Sequence, residues 1–359
     1  MMQENTPRPN APRRINLALQ GGGSHGALTW GVLDRLLADP RLEICEISGT
    51  SAGAMNAVVL ADGYVQGGRE GARAALERFW MAVSDAARFS PIQRSPFDQW
   101  FGRYTLDHSP GYIWFDIASR LFSPYDLNPA GFNPLRRLLA DTVDFDNVRA
   151  SREIAVHVAA TNVRTGRSRV FSREAVTLDA VMGSACLPQL FPAVEIDGEF
   201  YWDGGYSGNP ELLPLVESAR TADIVIVQIH PLLRREPPRR AREIINRINE
   251  ISFNTSLIKD LRAIALTQRL NRAEGSDCGM AETTYLHLIH TEADVQDLSA
   301  SSKLNPEWAY LKLLFERGER WADEWLDRNF DALGQRSTLD LDDLFRDVPR
   351  SATMKPLEE

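Results

Sequence analysis

The chain reads as an α/β protein built on a mostly parallel sheet covered by helices, and three observations lead there. Between Arg14 and Ala61 the pattern runs strand, glycine turn, helix, strand, tight turn, helix, the alternation that builds parallel sheets. Strand-length apolar runs recur downstream, and two long amphipathic helices follow near the C-terminus.

Arg14–Gln20 is the first strand and leads into the glycine run Gly21–Gly26. Ala27–Ala38 carries Leu28, Val32, Leu33, Leu36 and Leu37 at helical spacing. Leu42–Ser48 is a second strand, and Ala52–Ala61 a helix of small residues. Further strands are expected at Ile154–Thr161, Ser168–Ser172, Asp223–Ile229 and Thr284–Ile289, with Val194–Trp202 a hairpin turning at Asp197-Gly198. Arg240–Arg272 places Ile244, Ile248, Ile251, Ile258, Leu261 and Leu270 on one stripe, and Pro306–Leu333 repeats the pattern with Trp308, Leu311, Leu314, Trp321, Trp325 and Phe330. Both stripes are expected to face the core.

The organisation expected is a flexible segment over residues 1–13, one domain over 14–333 and a polar tail over 334–359. Phe89–Phe132 stands apart, with Trp100, Phe101, Tyr104, Tyr112, Trp114, Phe115, Phe122 and Tyr125 among prolines, glycines and serines. Long irregular segments inside compact domains usually have a function; an active-site cover with an apolar underside is the reading weighed against ordinary packing.

With 359 residues and 43% hydrophobic content the chain can bury a large core, yet no run approaches the roughly 18 apolar residues of a membrane span. Met1–Arg14 is polar and proline-rich, without the apolar stretch of a secretory signal. A cytoplasmic location is expected, compatible with peripheral membrane contact. Cys45, Cys186 and Cys278 are too few and too scattered for a disulfide framework or a metal site, so neither metal nor cofactor is expected. A net charge of −9 argues against nucleic acid as a partner. Arg234, Arg235, Arg239, Arg240 and Arg242 form a local exception, read as a solvated loop entering a helix or as a dock for anionic headgroups.

Gly49-Thr50-Ser51-Ala52-Gly53 fits G-x-S-x-G between a strand and a helix, the setting of a nucleophile elbow. Gly21-Gly22-Gly23-Ser24-His25-Gly26 occupies an equivalent turn and also satisfies G-x-G-x-x-G. A dinucleotide site would need an acidic residue at the end of the second strand, where the serine elbow stands instead. No Gly-Lys-Ser/Thr follows, which excludes a Walker-type phosphate loop. Bare glycine amides suit an oxyanion better, each well-placed donor being worth about 3–4 kcal/mol. A serine nucleophile needs a base. His230, His287 and His290 come late in the chain, but Ser51 follows only two strands, too early for an ordinary α/β-hydrolase triad. Asp203, in Trp202-Asp203-Gly204-Gly205 after the hairpin, is the stronger candidate.

Glycine turn, G-T-S-A-G elbow and distant D-G-G together resemble the patatin-like phospholipases. The resemblance runs from about Ile15 to Asp223 and includes Ser184-Ala185-Cys186-Leu187-Pro188 with Phe191-Pro192. It implies a three-layer α/β/α fold, a dyad of Ser51 and Asp203, an oxyanion hole from Gly21, Gly22 and Gly23, and metal-free hydrolysis of a lipid or other acyl ester. Gly26, Gly49, Gly53, Gly204 and Gly205 are the remaining motif glycines. Activity on a polyester or soluble ester, or a weakly catalytic lipid-binding role, are the alternatives. One departure is plain: the family usually has Arg or Lys where this chain has His25.

Overall fold

The structure, a computed structural model, describes residues 11–88, 90–218, 220–232, 234, 236–239, 241–274, 284–296, 298–299 and 301–341. In chain order the elements are β1 (Arg13–Leu19), α1 (Gly26–Ala38), β2 (Leu42–Thr50), α2 (Ala52–Ala86), α3 (Pro96–Trp100), α4 (Pro110–Leu121), α5 (Pro124–Leu127), α6 (Pro134–Thr142) and α7 (Phe145–Ala150). There follow β3 (Ala155–Asn162), β4 (Ser168–Ser172), α8 (Leu178–Ser184), β5 (Val194–Ile196), β6 (Glu199–Asp203), α9 (Leu213–Glu217), β7 (Asp223–Val227), α10 (Ala241–Glu274), β8 (Tyr285–Ile289), α11 (Glu292–Gln296) and α12 (Trp308–Asn329).

The strands form one sheet ordered β5-β6-β3-β2-β1-β7-β8, with β4 also on β3. β3, β2, β1, β7 and β8 run parallel, while β4, β5 and β6 run antiparallel to their neighbours. Alternation along the central strands divides the core into two faces. Ile15, Leu17, Leu19, Val225 and Val227 join the larger cluster with residues of α1, α2 and α12. Ala18, Ile224 and Ile226 point the other way, against Leu257, Leu261 and Ile264 of α10. The expected three-layer α/β/α arrangement is therefore present. Asp197 and Gly198 both take positive φ (52° and 78°) at the β5–β6 hairpin, as its two-residue turn requires.

α1 and α12 cross almost backbone to backbone. A Cβ on Gly31 would fall on the carbonyl oxygen of Phe315, and one on Gly318 on that of Leu28. Trp30 fills the flank of the crossing against Phe315 and Trp308. Of the stripe expected on α12, Leu311, Leu314, Trp321 and Trp325 are buried, and Trp308 and Phe330 are half-buried against the core.

Three expectations need correction. The helix expected over Ala52–Ala61 continues to Ala86, broken at Gly67 and Gly68, because Ala72, Leu76, Phe79 and Trp80 give its second half a core face of its own. The stripe expected on α10 is not uniformly inward: Ile244, Ile248, Ile251 and Leu270 are exposed. Toward the N-terminal end of that helix the inward face is polar, with buried Glu250 ion-paired to Arg234 and Arg247. The break expected between a domain ending at 333 and a tail from 334 is not one, because the chain stays docked through residue 339, Thr338 and Leu339 both donating to the Leu286 carbonyl.

The aromatic segment folds into α3, α4 and α5, each begun by a serine cap and a proline. Burial is inverted here. Asp98 is fully buried, held by the Ser95 hydroxyl at 2.7 Å and His108 at 2.9 Å, while Phe97, Trp100 (87% exposed) and Phe101 face outward. On α4, Trp114 (68% exposed), Ile117 and Leu121 repeat at i, i+3 and i+7 along the exposed face, and Ala118 is its buried residue. Phe89 lies outside the described residues. Of the arginine cluster, Arg234 is tied to Glu250 and Arg239 is exposed; Arg235, Arg240 and the side chain of Arg242 lie outside the described residues.

Candidate functional site

Two strands arrive at neighbouring residues of β3 from opposite directions. The parallel pairing of β2 ends with Thr50 opposite Ala159, and the antiparallel pairing of β6 ends with Asp203 opposite Ala160. Ser51, the next residue after Thr50, and Asp203 are thereby brought together across more than 150 residues of sequence. Ser51 takes φ 54°, ψ −121° at the head of α2, a strained conformation that a side chain rarely adopts. Its amide donates to the buried Ser184 hydroxyl at 2.9 Å.

Asp203 is buried, and burial pushes its carboxyl up to about 6. The Gly205 amide, donating to Oδ1 at 2.7 Å, the Ser51 hydroxyl and the charge of Lys303 pull in the other direction without prevailing. The expected Ser184–Pro192 segment supports the carboxylate from behind. Asp203 N donates to the Cys186 carbonyl at 2.8 Å, and the Cys186 thiol donates to the Pro192 carbonyl at 3.1 Å. Burial next to Asp203 pushes that thiol up to about 12, so it stays protonated.

Gln20 fixes the glycine turn. Its Oε1 accepts from the amides of Ile229 and His230 at 2.9 and 3.0 Å, and its Nε2 donates to Asn254 Oδ1 and the Asn209 carbonyl at 3.0 and 3.3 Å. Of the three amides expected to form an oxyanion hole, that of Gly21 is committed elsewhere, donating to Asn209 Oδ1 at 2.8 Å. The amides of Gly22 and Gly23 have no partner among the described residues. Gly23 takes φ +60°, and an added Cβ would meet the Lys303 carbonyl oxygen at 2.5 Å. Gly26 opens α1, Gly49 lies in β2 and Gly53 in the first turn of α2, while Gly204 and Gly205 form a short 3-10 turn after β6.

None of the three late histidines has Ser51 or Asp203 among its hydrogen-bond partners in the described residues. His287 Nε2 lies 2.9 Å from Asp223 Oδ1 and His290 Nε2 2.8 Å from Glu292 Oε2. His230 Nε2 donates to the Gly21 carbonyl at 2.7 Å, so this ring serves the glycine turn. Sequence reading missed Lys303. It lies in the short 3-10 turn Ser301–Leu304, and its ammonium stands 3.3 Å from His230 Nδ1. Burial lowers it to about 8, with Arg234 adding to the shift and Glu250 and Asp203 opposing it. The one available signal was the missing basic residue at position 25. Among the described residues no cluster of His, Cys, Asp and Glu could hold a metal ion, and no helix is long and apolar enough to cross a membrane.

A search of curated proteins found no match. Among solved structures, VipD from Legionella pneumophila aligns at 16% identity and a TM-score of 0.41, over 89% of this chain and 68% of that one. A chain in the complex of full-length SpcU with full-length ExoU, from the type III secretion system of Pseudomonas aeruginosa, aligns at 13% identity and a TM-score of 0.28. That alignment covers 87% of this chain and 53% of the other, so the present chain spans about half its length. The model of the patatin-like phospholipases matches residues 17–216, more than half of the sequence, and takes in the glycine turn, the Ser51 elbow and Asp203. The chain belongs to the patatin-like phospholipase family.

Proposed function

We propose that the protein is a serine lipid acyl hydrolase that cleaves carboxylic esters with Ser51 as nucleophile and Asp203 as general base, residues 14–333 acting as one hydrolase domain. The observation that carries this reading is the pairing of Thr50 and Asp203 with adjacent residues of β3, which supports a direct proton path between the two side chains.

In the first half-reaction the Ser51 hydroxyl gives its proton to the Asp203 carboxylate while Oγ attacks the ester carbonyl. The negative oxygen that develops is met by the amides of Gly22 and Gly23. Collapse of the tetrahedral species expels the alcohol, which takes the proton from Asp203 and leaves an acyl ester on Ser51. Water then gives a proton to Asp203, attacks the acyl carbon and releases the acid as the proton returns to Ser51. A carboxylate with an ordinary pKa near 3.9 is a weak base for this step, and the rise to about 6 brings it closer to the operating pH.

Lipid rather than a soluble ester is favoured by the outward aromatic face of α3 and α4. Exposed apolar patches of this kind mark contact surfaces, and Trp100 and Trp114 are suited to the boundary between water and acyl chains. A fluorophosphonate probe tests the assignment. It should label the wild type on Ser51 and leave Ser51→Ala unlabelled; labelling of another serine in the variant would remove Ser51 from the mechanism.

A further inference from the structure

We infer that Lys303 is the cation of this active site, brought from the C-terminal part of the chain to face the substrate's negative oxygen in place of a basic residue at position 25. The inference rests on the Ser51–Asp203 reading above.

Position 25 provides no charge. His25 is buried, its Nε2 lies 2.9 Å from the Ser302 hydroxyl, and burial together with the nearby Lys303 holds it well below the usual imidazole range. That contact has a second consequence, because it docks the Ser301–Leu304 turn on the glycine turn. The Ser302 hydroxyl also donates to the Ser299 carbonyl at 2.7 Å and accepts from Tyr310 at 3.0 Å, so the docked turn is pinned from three sides. Lys303 follows directly, and its carbonyl oxygen closes over Gly23.

The ammonium then acts in two directions. A carbonyl can only accept, so His230 uses its Nε2 hydrogen on Gly21, and its bare Nδ1 accepts from Lys303 at 3.3 Å. This ring is neutral, lowered by burial and by Lys303. Because a trans peptide sends its C=O and N–H opposite ways, holding the Gly21 carbonyl toward His230 turns the Gly22 amide away from it. Two of the three ammonium hydrogens remain without a partner among the described residues. The neighbouring Glu250 is engaged by Arg234 and Arg247, and the Phe253 ring, 5.8 Å from Nζ, is a further neighbour. A cation whose charge is felt at Asp203 and which is tied through His230 to the glycine turn, with donors to spare, stabilises an anionic oxygen formed between them.

Chemical rescue separates this role from a structural one. Lys303→Ala should lower turnover of a short soluble ester about 100-fold, the size of one lost oxyanion donor, and methylammonium added to the assay should restore much of it in a saturable way. Lys303→Met fills the same space without charge; it should stay folded, lose as much activity and gain nothing from the amine. The inference is overturned if Lys303→Ala stays within about threefold of wild type, or if the amine adds nothing to it while its melting temperature falls. Failure of the underlying reading looks different, since Ser51→Ala would then keep its activity or its phosphonate labelling.

Discussion

The two halves of the site are built in different ways. Residues 20–53 and 203–205 supply it through backbone turns at strand ends, where position follows from sheet register and turn conformation. Residues 228–305 supply it through side chains reaching across from separately packed elements, as His230, Asn254 and Lys303 do. Backbone turns need particular residues at fixed spacing and so leave a motif in the sequence. Side chains delivered by tertiary packing need only arrive, and leave none.

The largest effect expected from breaking the first half is at the proposed dyad. Asp203→Asn should cut turnover by about 10²–10⁴-fold, the range of general-base catalysis, with the fold retained because an amide can still accept from Gly205. His287→Ala and His290→Ala should leave turnover within a few fold; steady-state rates on a soluble ester compare all three. If a histidine variant proves as inactive as Asp203→Asn, the division between the halves fails.

The pH profile probes both halves at once. In the proposed role of general base Asp203 must be ionised to take a proton, and burial raises its pKa to about 6. Turnover should therefore fall by about tenfold from pH 7 to pH 5, as the carboxylate picks up its proton. Lys303, lowered to about 8 mainly by burial, should give a decline above that pH as it loses its charge. The groups around it are Asp203, Glu250, Arg234, His25 and His230, and both histidines are already neutral at that pH. Lys303→Met should retain the acid limb and lose the alkaline one.

Gln20→Leu attacks the seam between the halves. It removes the acceptor for two buried amides and leaves Asn254 without its donor. Each orphaned buried group costs about 1–3 kcal/mol, so the melting temperature should drop by several degrees, read in a thermal melt.

The smallest effect belongs to the outward aromatics. Replacing Trp100 and Trp114 with alanine should barely move the melting temperature, since both are largely exposed. Activity on phospholipid vesicles should fall several-fold relative to a short soluble ester. Equal losses on both substrates would detach α3 and α4 from lipid contact.

How far the sequence could be read follows the same division. The β1–turn–α1–β2–elbow order, the hairpin at Asp197-Gly198 and the D-G-G turn were legible because each is a local rule of backbone geometry. The α12 stripe was legible because the buried side of that helix, packed on α1, is apolar along its length. The α10 stripe misled because Glu250 and Asn254, both polar, hold the protein-facing side toward the N-terminal end of that helix, and the apolar core contact begins only at Leu257. Lys303 left no local signal, since nothing in Ser301-Ser302-Lys303-Leu304 distinguishes it from a surface turn. Similarly, three amides in a glycine run look alike in sequence, and only the position of Asn209 takes Gly21 out of the set.

The sheet order carries one more consequence. β1 has β2 on one side and β7 on the other, and β7 and β8 both lie beyond the span matched by the family model. A fragment cut at the end of that span would keep Ser51 and Asp203 but strip one flank from β1. Those amides and carbonyls of Asn16–Gln20 that point to β7 would then stand open, on a strand whose apolar side chains are fully enclosed in the whole chain and would also lose the cover of α10. Bare edges of that character recruit other chains and aggregate. A fragment ending near residue 216 should therefore accumulate as insoluble protein, although every motif that identifies the family is still in it.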